Sequence, residues 1–237
     1  MRVWDLLRKQ RPEVRCSVVI LAAGSSSRMG QDKIMLHIGD IPVIVHTLRA
    51  FETISEVTEV VVVTREDLVP EIAGLCKVFD LRKVTKVVRG GASRAESAGI
   101  GTSEVSPETK LIAIHDAARP FASEELIRTV ILKASETGAA APAVPVKDTI
   151  KIANNGVVET TPDRATLFAV QTPQVFDADL IRAALQKALD DGAEITDDCS
   201  AVERLGMKVS LTNGEERNFK LTTPADYALA EYLMSEG

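Results

Sequence analysis

Hydrophobic positions along this chain fall into short runs that alternate with longer amphipathic stretches. The first run, residues 16–21, is apolar at nearly every position, which is typical of a strand buried on both faces of a parallel sheet. Further strand patterns lie at residues 57–64, 84–89, 111–115 and 139–146. Helical spacing predicts helices at residues 42–53, 66–77, 94–104, 123–137, 179–190, 197–205 and 224–236. This alternation predicts βαβ units, and therefore an α/β domain with a mostly parallel, twisted sheet flanked by helices.

The alternation breaks at residues 147–162. Two short strand patterns, 148–152 and 157–160, flank Asn154-Asn155-Gly156, and an Asn-Gly turn is typical of a β-hairpin. A lone hairpin projecting from a sheet is only marginally stable in water. We therefore expect this arm to pack against a second subunit, which predicts a homodimer. After the arm, two more strands are predicted near residues 208–212 and 218–221.

The composition fits one domain with an aliphatic core, because 45% of the 237 residues are hydrophobic and only 4% are aromatic. Residues 1–237 are therefore predicted to form a single domain, with the basic segment 1–15 as an N-terminal extension. Two small domains are the less favoured alternative. A net charge of −6 argues against a nucleic-acid-binding surface, which would be basic.

The cysteines and the lengths of the apolar runs indicate the cellular compartment in which the protein is expected. Cys16, Cys76 and Cys199 are widely spaced and odd in number, which is typical of reduced thiols in a cytosolic protein. Segment 1–15 lacks the apolar stretch of a signal peptide, and the sequence contains no apolar run long enough to span a membrane. We expect a cytoplasmic protein with no membrane partner.

The loop after the first strand reads Ala22-Ala23-Gly24, and two cations follow at Arg28 and Lys33. Small residues there leave backbone N–H groups open to an anion, and the cations can bind a polyphosphate. The loop lacks both the Gly-x-Gly-x-x-Gly fingerprint and a Gly-Lys-Ser/Thr triplet. It therefore predicts a nucleotide site of another kind. An ordinary Ser/Gly-rich turn with incidental charges is the alternative.

Polar clusters also follow the later strands. Arg89-Gly90-Gly91-Ala92-Ser93-Arg94 ends one strand, and it is either a nucleotide-binding loop or an ordinary turn. His115-Asp116-Ala117-Ala118-Arg119-Pro120 ends the next. The Asp116 carboxylate is a candidate ligand of Mg²⁺, and Arg119 can bind a phosphate bidentately. A surface Asp–Arg pair is the alternative, and for His115 a structural hydrogen bond is favoured over general-base catalysis.

Cations recur in the predicted loops. Arg164 follows the arm, and it is either a phosphate ligand or a salt-bridging residue. Lys220 precedes a helix, and it is either a surface lysine or a catalytic one. The run Thr196-Asp197-Asp198 is interpreted as a helix N-cap. The sequence contains no recognisable Ser–His–Asp arrangement, and its three histidines lack zinc-ligand spacing. The surplus of loop cations favours phosphoryl or nucleotidyl transfer between two anionic substrates.

These segments resemble the 2-C-methyl-D-erythritol 4-phosphate cytidylyltransferase family of the non-mevalonate isoprenoid pathway. The match runs in order through residues 21–33, 90–97, 115–120, 141–149, 163–164 with 171–174, 195–198 and 218–226. His-Asp-Ala-Ala-Arg-Pro and Gln-Thr-Pro-Gln are its most specific parts. The resemblance implies a Rossmann-like fold, a homodimer formed through the arm, and in-line attack of a polyol phosphate on the α-phosphorus of CTP.

The resemblance also implies roles for particular residues. Two loops would hold CTP through Ala22, Ala23, Gly24, Gly91, Ala92 and Ser97. Three catalytic cations would act on the triphosphate, namely Arg28, Lys33 and Lys220. Four side chains would bind the polyol phosphate, namely Asp116, Arg119, Thr149 and Arg164, with Arg164 reaching into the partner's site. Mg²⁺ would be held mainly by the triphosphate, with Asp116 as its candidate protein ligand.

Two alternative functions stay open at this point. The first is a cytidylyltransferase for another polyol phosphate, such as ribitol 5-phosphate, because the nucleotide half would be shared. The second is a non-catalytic nucleotide-binding scaffold dimer, against which the three cations argue. The short spacing between Arg28 and Lys33 is also found in molybdenum-cofactor nucleotidyltransferases, so the first loop alone does not choose between families.

Overall fold

A computed structural model describes residues 14–24 and 32–235. The strands within these ranges are β1 (Cys16–Ala22), β2 (His37–Ile38), β3 (Ile41–Pro42), β4 (Val57–Thr64), β5 (Val84–Arg89), β6 (Leu111–Asp116), β7 (Ala139–Pro145), β8 (Ile152–Asn154), β9 (Val157–Thr160), β10 (Phe168–Val170), β11 (Gln174–Asp177) and β12 (Ser210–Asn213). The helices are α1 (Val43–Glu52), α2 (Val69–Val78), α3 (Arg94–Glu104), α4 (Glu124–Thr137), α5 (Ala178–Asp190), α6 (Asp198–Arg204) and α7 (Pro224–Ser235).

One eight-stranded sheet forms the centre of the fold, in the order β10-β7-β11-β6-β1-β4-β5, with β12 paired to β7. The pairs β1–β4, β1–β6, β4–β5 and β7–β12 are parallel. Strands β10 and β11 run antiparallel to their neighbours. The predicted mostly parallel sheet is confirmed.

Alternation along the central strands sends side chains to two apolar layers. Val18 and Ile20 belong to the layer formed with α1, α2, α4 and α7, whereas Val19 belongs to the layer formed with α3, α5 and α6. All three side chains are fully buried. Helices therefore cover both faces of the sheet, which explains why β1 is apolar at consecutive positions.

The register of the parallel strands brings their carboxyl ends to one edge of the sheet. Leu21 pairs with Asp116, and Ala22 pairs with Thr64, which in turn pairs with Arg89. The loops that follow β1, β5 and β6 therefore leave the sheet at the same edge, with β4 lying between β1 and β5. Ligand sites in such sheets form outside these strand ends.

The arm is a two-stranded hairpin, β8–β9, as the sequence predicts. Asn155 and Gly156 form its turn with φ angles of 49° and 79°, which suits the Asn-Gly pair. The first strand begins at Ile152 rather than at residue 148. Every residue from 147 to 161 is exposed in the single chain.

Two predictions about strands need correction. Residues 218–221 do not form a strand, because their polar groups bond to side chains and to a neighbouring loop instead of to a ladder. Strands β10 and β11 were not predicted from the sequence. The three cysteines are free and buried. In the described part of the chain no helix has the length and apolarity needed to span a bilayer.

Candidate active site

A cleft of about 440 Å³ opens at the carboxyl ends of β1 and β6. Most of the residues predicted to form the site line it, namely Ala22, Ala23, Gly24, Lys33, Gly91, Ala92, Ser97, Asp116 and Lys220. Arg94 lines it as well. The strand register explains this convergence, because the parallel strands β1, β5 and β6 all end at the same edge of the sheet.

The two glycines after β5 let two loops approach closely. A Cβ on Gly90 would lie 2.8 Å from Ser97 Oγ and 2.9 Å from the Cβ of Ala23. The Gly91 N–H donates to Ser97 Oγ at 3.2 Å, so the Ser97 hydroxyl supports the loop from beneath. The wall of the cleft here is therefore backbone, against which a flat ligand can lie closely.

Glu96 is a further support of this second loop; it was not among the predicted site residues, although Ser93-Arg94-Ala95-Glu96 has the spacing of a capping box. Its carboxylate accepts a hydrogen bond from the Ala92 N–H at 2.7 Å. Its own N–H donates to Ser93 Oγ, which caps α3. A Cβ on Gly91 would lie 2.3 Å from the Glu96 Cβ, so a glycine is needed where the carboxylate folds back over the loop.

Asp116 lies at the centre of a charged cluster at the end of β6. Its Oδ1 is 3.0 Å from Arg94 Nη1, and its Oδ2 is 3.0 Å from Lys220 Nζ and 3.5 Å from Arg119 Nε. Burial alone would raise the pKa of the Asp116 carboxyl, but Arg94, Lys220 and Arg119 hold that pKa well below its usual range. Asp116 is therefore ionised at neutral pH.

Arg94 bridges two carboxylates. While Nη1 contacts Asp116, Nη2 lies 2.5 Å from Oδ2 of Asp198, a side chain with no exposed surface. Burial raises the pKa of Asp198 to about 6 despite this ion pair. Asp197 caps α6, as the sequence predicts, since its carboxylate accepts from the Ser200 N–H. The next residue, Asp198, instead faces the cluster, which the Thr-Asp-Asp run did not reveal.

The segment that carries Lys220 is fixed on both sides of that residue. The Asn218 carbonyl accepts from Arg119 Nη1 at 2.7 Å, and the buried Asn218 amide donates to the Thr172 carbonyl. The Leu221 N–H donates to the Ala118 carbonyl at 2.9 Å. These bonds hold the backbone on either side of Lys220, so its ammonium group is directed at Asp116.

His115 has a structural position rather than one facing a ligand. Its Nε2 lies 3.1 Å from the Arg119 carbonyl and donates to it, so Nδ1 accepts from the Thr172 hydroxyl at 3.0 Å. Thr172 Oγ1 in turn accepts from the Asp116 N–H. Burial lowers the pKa of His115 to about 4, so the ring is neutral at pH 7. The chain of bonds fixes the backbone at Asp116.

Comparison with known proteins decides the family. A family model described as 2-C-methyl-D-erythritol 4-phosphate cytidylyltransferase matches residues 16–236. The chain belongs to the 2-C-methyl-D-erythritol 4-phosphate cytidylyltransferase family. A relative of that name from Halalkalibacterium halodurans is 44% identical over 223 residues, covering 93% of this chain and 97% of the relative. Another, from Caldanaerobacter subterraneus subsp. tengcongensis, is 42% identical over 226 residues, with 92% and 98% covered.

Solved structures of this cytidylyltransferase family share the fold. The 4-diphosphocytidyl-2C-methyl-D-erythritol synthase of Anaerococcus prevotii superposes with a TM-score of 0.83 at 31% identity, covering 94% of this chain and 97% of that one. The 2-C-methyl-D-erythritol 4-phosphate cytidylyltransferase of Thermus thermophilus gives a TM-score of 0.77 at 34% identity, covering 93% and 99%. The predicted Rossmann-like α/β fold and the family resemblance are both confirmed.

The remaining residues that the cytidylyltransferase family implies lie elsewhere. Arg28 falls outside the described residues. Thr149 and Arg164 are exposed on or just after the arm, where Arg164 Nη1 donates to the Lys147 carbonyl at 3.0 Å. Within the described ranges neither forms a hydrogen bond or ion pair with the Asp116 cluster. Their roles stay predictions, because contact with a bound substrate would require a second subunit.

Proposed function

We propose that the chain transfers the cytidylyl group of CTP to 2-C-methyl-D-erythritol 4-phosphate, giving 4-diphosphocytidyl-2-C-methyl-D-erythritol and pyrophosphate for isoprenoid precursors. The observation that carries the proposal is one cleft in which bare backbone from two loops faces Lys33, Lys220 and the Asp116 cluster. The cations suit the triphosphate, the bare backbone lets the nucleotide approach closely, and the ionised Asp116 suits the hydroxyls of a polyol. The family named above supplies the identity of both substrates.

The proposed nucleotide half consists of the loops after β1 and β5. Ala22, Ala23 and Gly24 offer no side chain beyond Cβ, and Gly91 and Ala92 face them across the cleft. Lys33 and Lys220 also line the cleft. In this proposal the two lysines, together with Arg28, stabilise the charge that grows on the departing pyrophosphate.

The attacking group is an oxygen of the acceptor's phosphate, which attacks the α-phosphorus of CTP in line with the leaving pyrophosphate. That oxygen is already ionised at neutral pH, so no protein group has to remove a proton. The buried, neutral His115 accords with this, because both its ring nitrogens are engaged by Arg119 and Thr172. Catalysis then consists of positioning two anions and stabilising the transition state.

Magnesium fits this site as an ion held chiefly by the substrate. The described residues contain no group of three or more metal-ligating side chains, so no dedicated protein cage exists in that part of the chain. Asp116 is ionised at the cleft and would contribute one carboxylate oxygen, which is how Mg²⁺ commonly binds beside phosphates. The ion would supply positive charge to the triphosphate oxygens.

The proposed acceptor half combines Asp116 and Arg119 with Thr149 and Arg164 of a second subunit. The homodimer is supported by exposed apolar side chains on and near the arm. Ile150, Ile152, Val157, Val158, Phe168 and Val170 are 39–68% exposed in the single chain. Apolar residues in such number on a projecting hairpin are typical of a protein interface. We propose one domain, residues 1–237, in a cytoplasmic enzyme, which accords with the free cysteines.

The function is tested by incubating the purified protein with CTP, Mg²⁺ and one polyol phosphate, and measuring pyrophosphate and the CDP-linked product. We expect turnover with 2-C-methyl-D-erythritol 4-phosphate and little with ribitol 5-phosphate. The reverse preference would mean that ribitol 5-phosphate is the acceptor, while the cytidylyl transfer itself would still be supported. Absence of pyrophosphate with either acceptor, in protein that binds CTP, would support the scaffold alternative.

A further inference from the structure

The ion pair between Arg94 and Asp198 joins Nη2 to Oδ2 only, so it is not the two-bond pairing that a guanidinium and a carboxylate can form. Asp198 is fully buried, yet its Oδ1 has no hydrogen-bond partner among the described residues. The same holds for the buried Nε of Arg94. A side-on, two-bond pairing through Nε and Nη2 would satisfy both atoms, and it is the stronger geometry. The guanidinium is instead turned so that Nη1 reaches Asp116.

Asp198 is the fixed end of this bridge. Its backbone N–H and that of Cys199 both donate to Gln174 Oε1 at 3.0 Å. Gln174 lies on β11, which pairs with β6, the strand that ends at Asp116. Cys199, Ala201 and Val202 of the same helix are buried in the apolar layer. The backbone at Asp198 therefore cannot move without displacing α6 from the sheet.

Arg94 is the movable member of the bridge. It is the first residue of α3, its long side chain lines the cleft, and 27% of that side chain is exposed. Without a second carboxylate to hold Nη2, its guanidinium would be free to turn toward the phosphates of a ligand in the same cleft. Asp116 would then lose one of its three cations, and its carboxylate would turn toward Lys220 and Arg119.

We propose that Asp198 is a positioning residue that acts through Arg94, holding the guanidinium on Asp116 so that the Asp116 carboxylate faces the acceptor. The inference rests on the proposed function, since it assigns Asp116 to the acceptor half. Asp198 touches no substrate in this scheme. Its effect on the reaction passes through the bridge Asp198–Arg94–Asp116.

The test is Asp198→Asn, which keeps the volume and one hydrogen-bonding oxygen but removes the charge that anchors Arg94. We expect KM for 2-C-methyl-D-erythritol 4-phosphate to rise about tenfold while KM for CTP changes less than about twofold. Asp190→Asn is the matched control, because it makes the same change at an exposed residue whose hydrogen bond, from Gln186, lies on α5 away from the cleft. Its kinetics should equal those of the wild type.

A double-mutant cycle shows whether the effect passes through Arg94. In an Arg94→Gln background, Asp198→Asn should change KM for the acceptor less than about twofold, because the bridge is already broken. If the two changes multiply instead, Asp198 acts independently of Arg94 and the inference is wrong. Thermal unfolding of each variant separates this from stability, since a lower Tm with an unchanged KM would show a merely structural role.

A second variant covers the case in which Asp198→Asn does not fold. Arg94→Lys keeps a cation beside Asp198, but a single ammonium cannot span both carboxylates as the planar guanidinium does. We expect the same rise in KM for the acceptor, and an unchanged KM would refute the bridge. Turnover by the wild type distinguishes the failure of the proposed function from the failure of the positioning role. If the wild type does not turn over, the proposed function is wrong. If the wild type is active and the variant has the same KM for the acceptor, only the positioning role is wrong.

Discussion

Replacing Lys220 with alanine is the sharpest test of the proposed chemistry. Lys220 Nζ lies 3.0 Å from Asp116 Oδ2, and the side chain is 39% exposed. Arg94 and Arg119 also contact Asp116, so the charge of this carboxylate can be balanced without Lys220. Lys220 therefore remains available to a phosphate oxygen in the cleft.

The size of the effect follows from Coulomb's law. A cation and an anion about 4 Å apart attract by about 4 kcal/mol at an effective dielectric constant of about 20. Since Lys220 is more than one-third exposed, solvent screening reduces this to about 2–3 kcal/mol. Each ~1.36 kcal/mol of lost transition-state stabilisation lowers the rate tenfold, so kcat should fall about 10²-fold.

The assay is pyrophosphate release at saturating CTP and acceptor, with thermal unfolding measured in parallel. The fold should survive the substitution, because Asn218 and Leu221 hold the segment through their own hydrogen bonds. Lys86→Ala is the control, since Lys86 is 47% exposed and pairs with Glu104 outside the cleft. Near-normal kcat in Lys220→Ala would refute the assignment, as would an equal loss in Lys86→Ala.

Three further predictions concern the loop, the buried histidine and the arm. Gly90→Ala should raise KM for CTP severalfold and lower Tm, because its Cβ would press on Ser97 and Ala23; an unchanged KM would mean that the two loops need not approach. The pKa of His115 is about 4 folded and 6.5 unfolded, so its contribution to stability is complete above pH 6.5 and is lost, by about 3 kcal/mol, as pH falls to 4. Urea unfolding at pH 6.5 and pH 4 should show this loss as the difference between the wild type and His115→Gln, since Asp198 titrates in the same range in both proteins. Val158→Asp should convert the proposed dimer to monomer in light scattering, because Val158 is 54% exposed on β9; a dimer that persists would place the interface elsewhere.

Local pattern was enough to predict the parts of the fold that depend on neighbouring residues. Helix α3 spans residues 94–104 as its spacing indicates, and α4 begins directly after its cap Ser123, the first residue of the predicted range 123–137. The loop after β1 and the Asp116–Arg119 pair could also be located, since parallel strands bring their carboxyl ends together. The family resemblance then supplied the identity of the substrates.

Long-range contacts explain what the sequence could not reveal. Polar and apolar residues alternate in the segment 218–221, which is typical of a strand, but the Asn218 amide donates to Gln171 and Thr172, which are far away along the chain. Asp198 belongs to a run that is ordinary for a helix start, and only the packing of α6 turns it toward Arg94. Neither contact leaves a signal in the spacing of nearby residues.

The position of β11 has a consequence for how the chain can assemble. Strands β1, β4, β5 and β6 pair among themselves, so this part of the sheet is specified once residue 116 has been synthesised. Strand β7 does not pair with β6, because β11 lies between them and pairs with both. The sheet therefore cannot be completed until residues 174–177 leave the ribosome, and the free edge of β6 has to be protected until then. The loops after β1, β5 and β6 thus belong to the early part of synthesis, whereas Lys220, which contacts Asp116, is added late.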